Sequence, residues 1–449
     1  MSDGATQTAP SAVDRFLAPL AGREHELAGR GPLWLRGLRR AGRERFVTLG
    51  FPTTRQEEWR ATSVAPIATT AFQPAPSPAP LSVADLPPVA RLDLGGPRLV
   101  FVDGRHRSEL SSTSPAIPGL WLGSLTRALD ERPGAVREIL ERRGAAAGTA
   151  FEALGAAFLD DGAAVLIDPG TRLDPPLQLV FLASGRPQPL VSHPWILVAL
   201  GAGSRACLIE SYGALGDGPY LTNAVTDIVV GDAAELDHCR LNLEGPGAHH
   251  VAAIGCRQGR DSRLVSRSLT AGGHLTRHDL VARLEGEGAE CRLDGLYLPR
   301  GEEHVDNHTT LDHARPHGSS RELYKGILSG RSRAVFNGRI IVRPGAQKTD
   351  AKQSNRNLLL SNSALAHTRP QLEIHADDVK CTHGATIGRL DDDAIFYLQS
   401  RGIERDAARN LLIRAFADEV LEAIPLEPLR ALAAGLVAER LPRAGTTTR

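Results

Sequence analysis

The stretch "ADDVKCTHGATIGRLDDD", residues 376–393, places two aspartates, a lysine, a cysteine and a histidine within its first eight positions. Cys381 and His383 are two apart, so on an extended chain both side chains point to the same face. A thiolate and a neutral imidazole suit zinc, copper or an iron–sulfur species. One cysteine and one histidine do not fill a tetrahedral site, so a metal here is shared with another chain or the pair has another role. Lys380 could lower the thiol pKa, although as the chain neighbour of Cys381 it points to the other face.

Other chemistry-bearing residues are less convergent. "GEEHVDNHTTLDHARPHGSS" carries His304, His308, His313 and His317. Strand alternation puts His304 and His308 on one face and His313 on the other, and Pro316 interrupts the run, so hydrogen-bonded structural histidines are expected rather than a metal cluster. All four lysines, Lys325, Lys348, Lys352 and Lys380, fall between residues 325 and 380, against 48 arginines along the chain. Where arginine is the default cation, the remaining lysines mark places that need a compact ammonium on a flexible stem. A polar channel or interface and buried structural ion pairs account for them equally well. "PGAQKTD" lacks the glycine framework of a phosphate loop, and there is no GxSxG or HExxH, which excludes those ATPase, hydrolase and zincin signatures. A carbohydrate-active β-helix would need paired carboxylates such as Asp377 and Asp378 or the run Asp391 to Asp393. The first two point to opposite faces of a strand, and the acidic run reads as a helix N-cap.

The elements that carry these residues follow from pattern and composition. A chain of 449 residues should form two or three units. Equal numbers of basic and acidic residues, 52 each, give no reason to expect nucleic acid or an acidic membrane as partner. No run of eighteen apolar residues occurs, and "MSDGATQTAPSAVDRF" has no basic and apolar leader pattern. Five widely spaced cysteines, Cys207, Cys239, Cys256, Cys291 and Cys381, contain no CxxC and point to a reducing cytoplasm.

The first sixty residues read as helices, followed by seven prolines between Pro66 and Pro88, expected as a linker or extended connection rather than a core element. "RLVFVDGR" is strand-like and "LTRALDERPGAVREILERRG" helical. From about residue 190, short alternating strands are predicted to start near Leu236, His249, Arg263, Leu275, Ala289, His304, Ser320 and Arg333. Even spacing without intervening helices argues for a meander, barrel or solenoid, and two strands per coil give a β-helix coil of about 26 residues. A core with only 4% aromatics suits thin stacked coils better than the alternative, a sandwich. "DDDAIFYLQSRG" predicts a capped helix ending at Gly402, and two more helices follow, with Leu412, Phe416, Val420 and Ile424 recurring every four residues. This C-terminal unit is expected to cover the end of the β region. The chain thus divides into residues 1–92 (helical, with the Pro-rich linker), 93–388 (β core, with a mixed entry region to about 190) and 389–449 (helical).

From "DNHTTLDHARPHGSSRELYKGILSGRSRAVFNGRIIVRPGAQKTDAKQSNRNLLLSNSALAHTRPQLEIHADDVKCTHGATIGRLDDDAIFYLQSRG" the chain closely resembles the core of the SufB/SufD family, scaffold subunits of the SUF iron–sulfur cluster assembly system. The likeness runs from about residue 303 to 424, and "FPTTRQEEWRATSVAPI" resembles the family's N-terminal signature. Where a B-type subunit would read His-Glu-Ala-Thr, this chain has "HGAT" with Gly384, so it is similar to the D type. The resemblance implies a right-handed parallel β-helix flanked by helical domains. It implies a non-enzymatic scaffold that pairs with a SufB-like subunit and works with a SufC-like ABC-type ATPase. His383 matches the position proposed to help bind the nascent iron–sulfur cluster at the subunit interface, and Cys381 a cysteine lining that interface. The helices from 391 to 424, with Phe396, Tyr397, Leu412 and Phe416, match the region that docks the ATPase. Movement of the ATPase pair would then expose a buried Cys381 and His383. A flavin in the complex is left open, as is a homodimeric or B-type scaffold in which edge strands of two copies pair.

Overall fold

The alternating pattern from residue 235 onward resolves into strands stacked in two parallel sheets. A computed structural model describes residues 11–76, 80–113, 116–143 and 148–440. Each strand pairs in parallel with the strand two further along the chain, so successive strands alternate between sheets and each coil contributes one strand to each. One sheet ends in the order Ala248–Gln258, Leu275–Leu284, His304–His313, Arg333–Val342, Leu365–Ile374. The other ends in Arg263–Thr270, Glu290–Tyr297, Ser319–Leu328, Asp350–Leu359, Lys380–Gly388. The result is a parallel β-solenoid of about eight turns, mainly β, with helices at both chain ends. Each of the predicted strand starts lies within one residue of the observed one. Strands already enter the sheets at Arg98–Val102 and Leu120–Ser124, and Gly162–Ile167 and Leu177–Ala183 follow, all earlier than the change in pattern near residue 190 suggests.

Inward residues such as Ala252, Ile254, Ala282, Leu284, Leu311, Phe336 and Ile340 fill the lumen with small and branched side chains. The corners explain the regular spacing. Ala233, Asp261, Gly288, His317 and Lys348 all have left-handed backbone, φ 53, 51, 70, 59 and 60. Each donates its amide to a carbonyl one coil on: Arg260, Glu287, Pro316, Gln347 and Asp378 in turn. A column of tight turns therefore stacks along one edge, and His317 and Lys348 stand at corners of it. Lys348 also pairs with Asp378.

The N-terminal helices Ala12–Leu17, Ala21–Ala28 and Leu33–Leu49 gather the scarce aromatics into a second core around Phe16, Phe46, Phe72, Trp59 and Phe151. A Cβ on Gly42 would sit 2.8 Å from the backbone of Ala153 and Ala157, so glycine there lets Leu33–Leu49 lie against helix Ala150–Ala157. The Pro-rich segment differs from its expected role as a linker. Residues 77–79 lie outside the described residues, but Ile67, Phe72, Ala75, Leu86, Val89 and Ala90 around them are buried. Gln73–Pro74 pairs in parallel with Leu190–Ser192. Proline excludes long elements yet leaves alternate apolar side chains free to pack.

The C-terminal helices also depart from expectation. Arg405–Leu421 and Glu427–Arg440 do not close the solenoid end. They lie along the outer face of the second sheet, where Ile413, Ala417, Val420, Leu429, Ala433 and Val437 pack on Cys239, Leu241, Leu296 and Ile327. Outward apolar residues on those strands supply a long side surface, and burying it outweighs capping a narrow end.

Candidate functional site

Leaving the end uncovered exposes the two last strands, Leu365–Ile374 and Lys380–Gly388. Each has a neighbour on one side only among the described residues. Leu365, Ile374 and Ile387 are 46%, 41% and 47% exposed, an apolar rim that an isolated solenoid has no reason to display.

Cys381 and His383 sit on Lys380–Gly388, opposite Ala351 and Gln353 of the preceding coil. Ala351 and Gln353 are buried and inward, whereas their chain neighbour Lys352 is exposed, so the predicted shared face of Cys381 and His383 is the lumen side. Cys381 is half-buried against the core and His383 is exposed in the chain by itself. Among the described residues no further strand pairs beyond Lys380–Gly388 to cover it. Partial burial pushes the Cys381 thiol above its usual pKa, with a backbone hydrogen bond from Ala351 acting the other way. Among the described residues no group of three or more His, Cys, Asp or Glu side chains is arranged to hold a metal ion. Any ion or cluster bound at Cys381 and His383 therefore needs further donors from outside this set.

One register row leads from His383 into the lumen. Leu293, Glu322, Gln353 and His383 follow one another across successive strands. The Gln353 amide donates to Glu322 at 2.7 Å, and burial pushes the Glu322 carboxyl up to about 7. Deeper in, Glu210 is fully buried, accepting from Arg240 at 2.6 Å and Tyr212 at 2.5 Å and facing His238 at 3.1 Å. These groups were missed in the sequence, although steps of 31 and 30 residues from Glu322 to Gln353 to His383 place them in register once the strands are known.

The four histidines take separate roles. Glu58 of the "QEEW" segment accepts from His308 at 3.1 Å and Asn337 at 3.1 Å. Thr62 donates to Asp306 at 2.6 Å and contacts His304 at 3.0 Å. Arg277 lies 3.7 Å above the Trp59 ring. His304 and His308 thus anchor the N-terminal segment to the outer sheet face. Asp306 and Glu58 raise the His308 pKa to about 9 against the opposing effect of burial. His313 is buried beside Ser320, 2.9 Å away, and its pKa falls to about 4.

On the C-terminal helices, Phe396 and Tyr397 are 72% and 58% exposed on Asp392–Ser400. Leu412 is half-buried, and Phe416 faces the solenoid beneath Lys325. The structure therefore places Cys381 and His383 on one strand and the four C-terminal residues on the helices, with Phe396 and Tyr397 on open surface, Leu412 half-buried and Phe416 toward the sheet. Lys325 is 3% exposed, and its ammonium donates to the Phe416 carbonyl at 2.8 Å and pairs with Glu419.

Residues 181–416 match the family described as SUF system FeS cluster assembly, SufBD core domain, and residues 23–179 match the SufBD protein N-terminal region. The chain is 34% identical to the iron–sulfur cluster assembly protein SufD of Escherichia coli, over 89% of this chain and 91% of that one. It is 34% identical to an iron–sulfur cluster assembly SufBD family protein of a Synechocystis strain, over 85% and 86% respectively. It is 30% identical to a chloroplastic protein of Arabidopsis thaliana, over 74% and 71%.

Proposed function

Because the chain belongs to the SufBD family of iron–sulfur cluster assembly proteins, we propose that it is a D-type scaffold subunit whose open solenoid end joins a SufB-like subunit. The observation that carries this reading is the position of Cys381 and His383 on a terminal strand paired on one side only among the described residues, on its lumen side. A second solenoid added end to end would satisfy the free N–H and C=O groups and cover Leu365, Ile374 and Ile387. The same step would bring foreign ligands to His383 and Cys381, completing a set that the described residues leave short.

In this reading the nascent cluster is cargo. His383 contributes one imidazole nitrogen, and Cys381 contributes its thiolate or lines the interface. The exposed Phe396 and Tyr397, with Leu412 and Phe416 on the following helix, receive a SufC-like ATPase, and the chain itself catalyses nothing. Movement of that ATPase reaches the last coils through Lys325 and the Phe416 carbonyl. The five cysteines are free thiols, which suits a reducing cytoplasm. No helix among the described residues is long and apolar enough to cross a membrane. Without a SufB-like partner, the same open end would accept a second copy of this chain.

The test is co-expression with SufB-like and SufC-like subunits, then anaerobic iron and sulfide analysis of the purified complex, wild type against His383→Ala. Equal association with the B-type chain and a loss of iron in the variant is expected. A variant complex that retains full iron would remove His383 from the site. Failure of the wild-type chain to associate at all would remove the end-to-end reading.

A further inference from the structure

Away from the solenoid end, a cleft of about 530 Å³ opens on the outer face of the first sheet, between the Glu58–Trp59 segment and the helix Pro133–Arg143. Its volume lies in the range of sites for small organic ligands. Ala253, Gly255, Val281 and Thr310 form the floor, and Gly255, Val281 and Thr310 are direct neighbours across three strands. None projects far. A Cβ on Gly255 would come within 3.1 Å of an Arg143 nitrogen, so glycine keeps this floor low.

The cationic lining divides into two groups. Arg142 is paired with Glu138, Arg143 is neutralised by Asp227 and Glu152, and Arg277 by Asp279 and Asp306. Arg257, Arg283 and Arg339 are not matched in the same way. Arg257 and Arg283 are paired across adjacent strands, an unfavourable juxtaposition of like charges. Arg257 bonds the Arg142 carbonyl, and its nearest carboxylate, Glu285, is 3.8 Å away. Arg283 has no hydrogen-bond or ion-pair partner among the described residues, and Asp312 across from it is held by Arg343 at 2.9 and 3.0 Å. Arg339 has a buried Nε without a partner, and its contact with Glu373 is 3.5 Å.

We propose that this cleft binds a phosphorylated small organic molecule, its phosphate held among Arg257, Arg283 and Arg339 and its flat body resting on Ala253, Gly255 and Val281. Guanidinium groups donate two parallel hydrogen bonds to phosphate oxygens, and a dianion relieves the repulsion between Arg257 and Arg283. The apolar floor has no role for a bare inorganic ion, which is the reason to assign an organic ligand. This site is separate from Cys381 and His383 and does not depend on the cluster-assembly reading.

The experiment is calorimetric titration of the purified full chain with adenosine 5′-monophosphate, adenosine and inorganic phosphate, repeated on Arg283→Gln and Arg339→Gln. Arg283 is exposed, and matching melting transitions establish that each variant is folded. The monophosphate should bind more tightly than either fragment, with affinity falling as salt rises. Each variant should weaken it at least tenfold. Absence of binding at millimolar monophosphate would overturn the proposal, as would variants that bind like the wild type. Inorganic phosphate binding as tightly as the monophosphate would leave an adventitious anion only and would overturn the assignment of an organic ligand.

Discussion

The ammonium of Lys325, on the lumen-to-flank strand Ser319–Leu328, donates to the backbone carbonyl of Phe416 at 2.8 Å while lying 4.6 Å from the centre of the Phe416 ring. A planar guanidinium is bulkier, so lysine persists here in an arginine-rich chain. Lys325→Met leaves that carbonyl without its donor and Glu419 with Arg356, 3.2 Å away, as its remaining partner. Because Glu419 is half-exposed, the expected loss is about 1–3 kcal/mol, with earlier proteolysis within 392–440. Urea denaturation with timed digestion checks both, and unchanged digestion would mean that the helices dock without this contact.

His308 makes the attachment of the N-terminal segment depend on pH. Its pKa rises from 6.5 to about 9 in the folded chain, so protonated His308 stabilises the fold fully below pH 6.5. That contribution is lost as pH climbs through 9, on the order of 3 kcal/mol at most. His308→Gln should flatten this fall. The measurement is the urea midpoint at pH 6.5 and 9.5 for both chains, and parallel curves would contradict the assignment.

The cysteines should separate by position. Burial pushes Cys207, Cys239 and Cys256 up to about 12 and Cys291 well above its usual range. Only Cys381 lies on the uncovered terminal strand. Iodoacetamide at pH 8 should therefore give one adduct, at Cys381, and binding of a SufB-like subunit should suppress it. Peptide mass mapping decides this, and early labelling of Cys256 would show that the middle coils open.

Ala233 occupies the left-handed corner with φ 53 and is exposed. Ala233→Gly relieves a Cβ clash and should stabilise the chain by about 0.5–1 kcal/mol. A lower melting temperature would indicate that unfolded-chain entropy outweighs the strain.

The solenoid was legible in sequence because its signals are local: period-2 alternation, turn residues and an even step between strands. Helix Asp392–Ser400 was legible for the same reason, since Asp391 accepts the Asp393 amide at 2.9 Å and Gly402 has φ 88. Interactions across long stretches of chain were not. Nothing near Glu58 announces His308, 250 residues away, and nothing in Arg405–Leu421 tells flank from end. Cys381 and His383 could be placed on one face from their spacing. That the face borders an open lumen required the register.

The stacked architecture has a consequence for how order is distributed along the chain. An interior strand such as Asp350–Leu359 is held by hydrogen bonds from both sides, whereas Lys380–Gly388 is held from one. In a quasi-one-dimensional array, the terminal unit has half the nearest-neighbour coupling of the others. Amide exchange should then be fastest in residues 365–388 and slow progressively toward the middle coils. The strand that presents Cys381 and His383 would be the first to fray in isolation and the one whose protection rises most when the solenoid is extended by a partner.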